Sequence, residues 1–358
     1  MHTLDSLDEI NKLDTGSVLT SIEKLGAQVR QAWREVKKGE VPASCPLAKN
    51  VIISGMGGSA LGGRIVDSLL ADRARVPIEV VTEYNLPNYV NKDTLVILSS
   101  YSGNTEETLA TAKEALNRGA IVYGVTTGGK LAEFLSENGF ESYIYTPTEN
   151  PSDQPRMGLG YSIASVLAVL SKCEFINLLD SEMEEAVAEA DQFITDYGAS
   201  VPEHENVAKR LAAKLKGKVP VIIASEHLMG SAHAFKNQLN ENAKTFGLIF
   251  DIPELNHHLM EGLKNPYEIK NILHFLFIES GHYSKRVNVR YPITKEVVSK
   301  NGIAYDSYQV RSSKKIIEIF EVLVLSSYVS FYLAMLYGIN PTPIPWVDYF
   351  KKELSQSQ

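Results

Sequence analysis

Cysteine is scarce in this chain. Cys45 and Cys173 are the only two in 358 residues, and neither stands in a C-x-x-C or other metal-ligand spacing. A chain of this length buries enough surface to fold without a disulfide or structural metal, so the pair reads as thiols of a reducing compartment. Excess positive charge is missing too. There are 35 Lys and Arg against 43 Asp and Glu, a formal charge of −8. Nucleic-acid binding, which wants clustered Lys and Arg, is therefore not expected. An anionic small molecule stays compatible, because a phosphate needs only a local nest of donors. The start, Met1-His-Thr-Leu-Asp5, lacks the basic and apolar segments of a secretory signal, and a cytoplasmic protein is expected. Long apolar runs are absent as well. Ile316–Leu336 comes nearest to a membrane span, but Glu318, Glu321 and three serines make it a buried helix, and no membrane partner is expected. No short repeat or low-complexity tract is found.

What the chain does have is alternation. Asp14 is placed to cap a helix over Val18–Lys37, whose apolar positions recur at helical spacing. Short Val- and Ile-rich runs follow at Asn50–Ser54, Ile78–Val81, Leu95–Leu98, Ile121–Val125 and Ser142–Tyr145, separated by loops or helix-length segments, one of them Ala60–Ala71. That pattern predicts βαβ units and a parallel sheet covered on both faces. The text from about Gly158 to Lys216 is mostly helical. A second series then begins, with strands at Val219–Ala224, Ile272–Ile278 and Ile303–Val310. Helices are predicted over Gly230–Lys244, Ile293–Lys300 after Pro292, Ile316–Leu336 and Trp346–Leu354. The expected division is an N-terminal unit over 1–157, linking helices over 158–215 and a C-terminal unit over 216–358.

Two loops at strand ends carry chemistry. Gly55-Met-Gly57-Gly58-Ser59-Ala60 leaves a strand and opens a helix, where free amides and the helix dipole favour an anion. The same residues match a relaxed dinucleotide fingerprint with Glu83 as the ribose acid, or a plain tight turn. The hydroxyl of Ser59 tilts the reading toward a sugar or phosphate. Ser100, Ser102 and Thr105, in Ser99-Ser-Tyr-Ser-Gly-Asn-Thr-Glu-Glu-Thr108, again lie between strand and helix. They suit a phosphate dianion, although Thr105 and Thr108 would also serve as ordinary capping groups.

Together these two runs resemble the sugar isomerase (SIS) domain family, and more narrowly the bifunctional phosphoglucose/phosphomannose isomerases. The resemblance extends from about Val51 to Leu354 and is weakest between Glu174 and Gly217. It implies an α/β fold of two SIS-type, flavodoxin-like αβα sandwich domains with parallel sheets. It also implies an aldose–ketose isomerase that moves a proton between C1 and C2 of a sugar phosphate through a cis-enediol, with no organic cofactor and no metal. Such a site needs a carboxylate base, a cation at the developing oxyanion and an acid–base group for ring opening.

The resemblance assigns these roles residue by residue. Glu241, in Asn240-Glu-Asn-Ala-Lys244, matches the proton-transfer glutamate; read alone, it is a helix-end carboxylate paired with Lys244. His257, in Pro253-Glu-Leu-Asn-His257-His258, matches the ring-opening histidine, and family members commonly supply it from the partner subunit, which implies a homodimer. As a metal site the His-His pair lacks a third ligand. Arg156, in Gln154-Pro-Arg156, matches the enediolate-binding arginine, whose planar fork suits O1 and O2. Lys351 is preferred to Lys352 for the family's C-terminal lysine by its spacing from Pro345. Gly57, Gly58 and Ser59 are expected to line the sugar, and Ser100, Ser102 and Thr105 to hold the phosphate. One departure stands out: Ala234 takes the place of an arginine in Ser231-Ala-His-Ala234-Phe-Lys236. The rival readings are a non-catalytic SIS sugar-phosphate sensor, an isomerase of amino-sugar phosphates, and a dinucleotide-dependent oxidoreductase.

Overall fold

The computed structural model describes residues 4–357. Five strands, β1 (Asn50–Ser54), β2 (Ile78–Val81), β3 (Thr94–Ser100), β4 (Ile121–Thr126) and β5 (Ser142–Ile144), form one sheet in the order β2-β1-β3-β4-β5. Four more, β6 (Val219–Ala224), β7 (Leu248–Asp251), β8 (Leu273–Glu279) and β9 (Ala304–Gln309), form a second sheet in the order β7-β6-β8-β9. Every pairing is parallel. The central strands β1 and β3 are buried along nearly their whole length, as Val/Ile runs covered on both faces must be. Both sheets follow the flavodoxin-like order, and each reverses direction at one crevice: between β1 and β3, and between β6 and β8. Ligands of open parallel sheets bind outside such crevices, at the strands' carboxyl ends.

The helices are α1 (Leu7–Leu13), α2 (Val18–Glu23), α3 (Leu25–Lys38), α4 (Gly57–Leu70), α5 (Glu106–Asn117), α6 (Gly129–Glu137), α7 (Leu159–Lys172), α8 (Asp180–Tyr197) and α9 (Val207–Leu215). They continue with α10 (Met229–Glu241), α11 (Leu259–Gly262), α12 (Ile269–Ile272), α13 (Lys285–Lys300), α14 (Lys315–Tyr337) and α15 (Pro345–Gln356). The hydrophobic α14 is the core helix: Ile316 to Met335 are all buried, including Glu318 and Glu321, so its apolar length answers to protein rather than lipid. The two halves meet where α4 packs on α10. A Cβ on Gly230 would collide with the Arg64 carbonyl oxygen, so only glycine lets α10 start this close to α4.

Several local expectations are corrected. The helix predicted over Val18–Lys37 breaks at Lys24 into α2 and α3, although Asp14 does cap it, its carboxylate accepting from the amides of Val18 (2.9 Å) and Leu19 (2.8 Å). Pro292 does not precede a short helix but lies inside α13. Val287, Tyr291, Thr294 and Val298 form one buried stripe through it, and that packing overrides the lost hydrogen bond. The edge strand β7 was not anticipated; it is four residues long and only partly buried. The cysteines are not free thiols: Cys45 and Cys173, with Cα atoms 5.4 Å apart, form a disulfide. A separation of 128 residues conceals proximity that arises only when the segment before β1 lies beside the end of α7.

Candidate active site

The crevice between β1 and β3 is where the two hydroxyl-bearing loops meet. α4 starts at Gly57, whose φ of +50° suits glycine. A Cβ on Gly58 would lie 2.6 Å from the Pro155 carbonyl oxygen and 3.0 Å from the Arg156 amide nitrogen. The helix start therefore touches the turn that carries Arg156. Ser59 Oγ accepts from the Tyr101 amide (3.0 Å), tying the first loop to the second. In that second loop Ser100 Oγ and Thr105 Oγ1 are 2.9 Å apart, and Ser100 Oγ also accepts from the Gly103 amide. Ser102 is exposed, with Oγ accepting from the Asn104 amide. Thr105 is the N-cap residue of α5, yet its side chain makes no capping bond, so the first amides of that helix remain open to an anion.

Arg156, only 1% exposed, reaches from this turn to the end of α10. Its Nε donates to Asn242 Oδ1 (2.7 Å), Nη1 to Gln154 Oε1 (2.8 Å), and Nη2 to the carbonyls of Pro341 (3.0 Å) and Thr342 (2.7 Å). Nη1 also stands 3.5 Å from Glu241 Oε2. The chain thus brings the base and the cation of the sequence reading together beside the glycine loop. Nη2 is engaged by the two carbonyls, and Nη1 is the nitrogen that turns toward Glu241.

Burial pushes the Glu241 carboxyl above the usual glutamate range, against the pull of Arg156, Lys244, Lys351 and Lys236. Lys244 donates to the Pro341 carbonyl (3.0 Å), and burial together with Arg156 lowers its ammonium to about 8. Lys351, on the exposed helix α15, is among the cations that favour the ionised form of Glu241. Asp348 of the same helix acts on Arg156. His257 is not joined to this group within one chain. It is exposed, ends a single turn after β7, and its side chain has no hydrogen-bond or ion-pair partner among the described residues.

Sequence reasoning gave Asn242 and Gln154 no role, and Lys244 only that of a helix-end partner to Glu241. Asn242 and Lys244 stand in the same Asn-Glu-Asn-Ala-Lys run as Glu241, and Gln154 two positions before Arg156, so motif membership was the available signal. No group of three or more His, Cys, Asp or Glu is placed to hold a metal among the described residues.

Residues 47–171 match the SIS domain, and residues 204–354 match the bacterial phospho-glucose isomerase C-terminal SIS domain. A bifunctional phosphoglucose/phosphomannose isomerase of Caldicellulosiruptor bescii is 36% identical over 94% of this chain and 98% of its own length. That of Aquifex aeolicus is 32% identical over 90% and 94%. In fold the chain is similar to a hypothetical protein of Thermus thermophilus, with a TM-score of 0.76 at 15% identity over 98% of this chain and 92% of that one. It is also similar to a putative tagatose-6-phosphate ketose/aldose isomerase of Clostridium novyi, with a TM-score of 0.67 at 18% identity over 97% and 96%. With two SIS domains, an arginine–glutamate pair beside a hydroxyl-lined loop, and relatives of this identity along nearly its whole length, the chain belongs to the bifunctional phosphoglucose/phosphomannose isomerase family.

Proposed function

We propose that the protein interconverts glucose 6-phosphate and mannose 6-phosphate with fructose 6-phosphate. The observation that carries this reading is the 3.5 Å approach of Arg156 to Glu241, beside the Gly57–Ser59 loop. In the reaction Glu241 takes the C2 proton of the open-chain aldose, and the electron pair moves into a C1–C2 double bond. The same carboxyl then returns a proton to C1, while a proton passes from O2 to O1. Arg156 bears on the oxygen that gains charge in between, in a buried setting where one fixed donor counts for more than in water. Ser100, Ser102 and Thr105 hold the phosphate, and Gly57, Gly58 and Ser59 line the sugar. Lys351 and the partner subunit's His257 open the ring, histidine being suited to proton exchange at an oxygen near neutrality.

A homodimer belongs to this reading. Two features favour it: the unpartnered His257, and the apolar residues Trp346 (82% exposed) and Phe350 (62%) on the helix that carries Lys351. A cytosolic location belongs to it as well. Both sulfurs of the Cys45–Cys173 bond lie in residues that are 0% exposed, out of reach of attacking thiolates, so the bond is compatible with that compartment.

The test is a coupled assay of fructose 6-phosphate formation from each aldose on chelator-treated protein, with glucosamine 6-phosphate alongside. Turnover of both hexose phosphates, lost by at least about 1,000-fold in Glu241→Gln, is the expected result. Binding without solvent-proton exchange at C2 would turn the reading toward a sensor.

A further inference from the structure

The Arg156 guanidinium has five N–H donors, and the fold uses four of them on neutral acceptors: Asn242 Oδ1, Gln154 Oε1 and the carbonyls of Pro341 and Thr342. The fifth is on Nη1, the atom 3.5 Å from Glu241 Oε2. Which way that last N–H points depends on the plane of the group, and Asn242 on Nε is one of the four contacts that fix that plane.

We infer that Asn242 is a positioning residue for the isomerisation: it sets the plane of Arg156 so that a single N–H is presented to the oxygen that gains charge. This inference rests on the isomerase reading above. Asn242 is 0% exposed and follows Glu241 directly in the chain. Its amide orientation is fixed by its partners. Arginine only donates, so the oxygen must face Nε (2.7 Å), and the amide nitrogen then donates to Ser330 Oγ (3.1 Å). Ser330 is able to accept, because its own hydroxyl hydrogen goes to the Ser327 carbonyl (3.0 Å). The relay runs from Arg156 through Asn242 and Ser330 into the core helix α14. The base and the holder of the cation are thus consecutive residues at one helix end, and the spacing between base and cation is set by one peptide unit. Misplacement by about 1 Å at a site of this kind costs on the order of 100-fold in rate.

Three variants test this: Asn242→Ala, Asn242→Asp, which keeps an oxygen for Nε, and Ser330→Ala, which loosens the relay one step away. The assay reads kcat and KM for fructose 6-phosphate formation, and the deuterium isotope effect on kcat with C2-deuterated aldose. Asn242→Ala should lower kcat about 30-fold with KM within about threefold and a larger isotope effect. Asn242→Asp should recover kcat to within about fivefold of the parent. Parental kcat in Asn242→Ala, a loss confined to KM, or equal damage in the Asp and Ala variants would overturn the inference. If Asn242→Ala does not fold, Ser330→Ala decides: a loss of about threefold to tenfold in kcat alone supports it, and no change refutes it. Parent protein without turnover marks failure of the isomerase reading instead, and a fully active Glu241→Gln marks failure of the base assigned to it.

Discussion

Arg156 Nη1 and Glu241 Oε2 stand 3.5 Å apart, a separation at which opposite charges attract without closing a good hydrogen bond. The pair is held open from the arginine side. With its other nitrogens engaged by Asn242, Pro341 and Thr342, the guanidinium is not free to swing onto the carboxylate and neutralise it. The carboxylate keeps a lone pair for a carbon-bound proton, and the cation keeps one donor for an oxygen.

Lysine in place of Arg156 tests that division. Its ammonium cannot satisfy Nε-, Nη1- and Nη2-type contacts at once, so buried carbonyls are left without donors and the charge moves. Arg156→Lys should lower kcat by about 100- to 1,000-fold in steady-state assays. A loss below about threefold would show that the charge alone suffices.

Acid dependence follows from Glu241. The base works ionised, and burial raises its pKa, so activity should fall on acidification at a pH above the ordinary glutamate range. Lys244 favours the ionised form, and its removal raises the pKa further. Lys244→Met should move the acid limb of the kcat profile upward by roughly half a pH unit to one unit, leaving the plateau nearly in place. A variant profile scaled down equally at every pH would contradict the electrostatic role.

Gly58 is a contact residue rather than a hinge. An alanine methyl there would sit 2.6 Å from the Pro155 carbonyl oxygen, and backbone must yield. Gly58→Ala should cost about 1–3 kcal/mol in chemical denaturation and lower kcat/KM at least about tenfold, because the displaced turn carries Arg156. Unchanged kinetics would mean that α4 moves while Arg156 stays.

The Cys45–Cys173 disulfide closes a loop of 128 residues. Cys173→Ser, or reduction under denaturing conditions followed by refolding, should lower stability by about 3–5 kcal/mol, read from the denaturant midpoint. Alkylation of the native protein without reductant should label no thiol.

Much of this was legible in the chain. The strands β1, β2 and β6 fall where Val/Ile runs put them; for β1 and β6, buried along nearly their whole length, composition alone announces a strand covered on both faces. The loops after β1 and β3 were readable as strand-to-helix turns, which glycine and hydroxyl residues favour. What escaped has a common cause in contacts between distant segments. Cys45 meets Cys173, Arg156 meets Pro341, and Asn242 meets both Arg156 and Ser330 across elements that no local pattern links. β7 was too short to show periodicity, and Pro292 obscured a helical stripe that packing preserves. His257 was legible only as a motif, since its partners in a single chain are none among the described residues.

The carbonyls of Pro341 and Thr342 sit against Arg156, and from them the polypeptide runs on into α15. A protein clipped just before Pro341 would therefore lose more than a lysine. It would strand two donors of a buried guanidinium, which would then turn for relief to the carboxylate beside it and quench the base. The tail thus shares with Asn242 and Gln154 the work of tethering the cation away from the base.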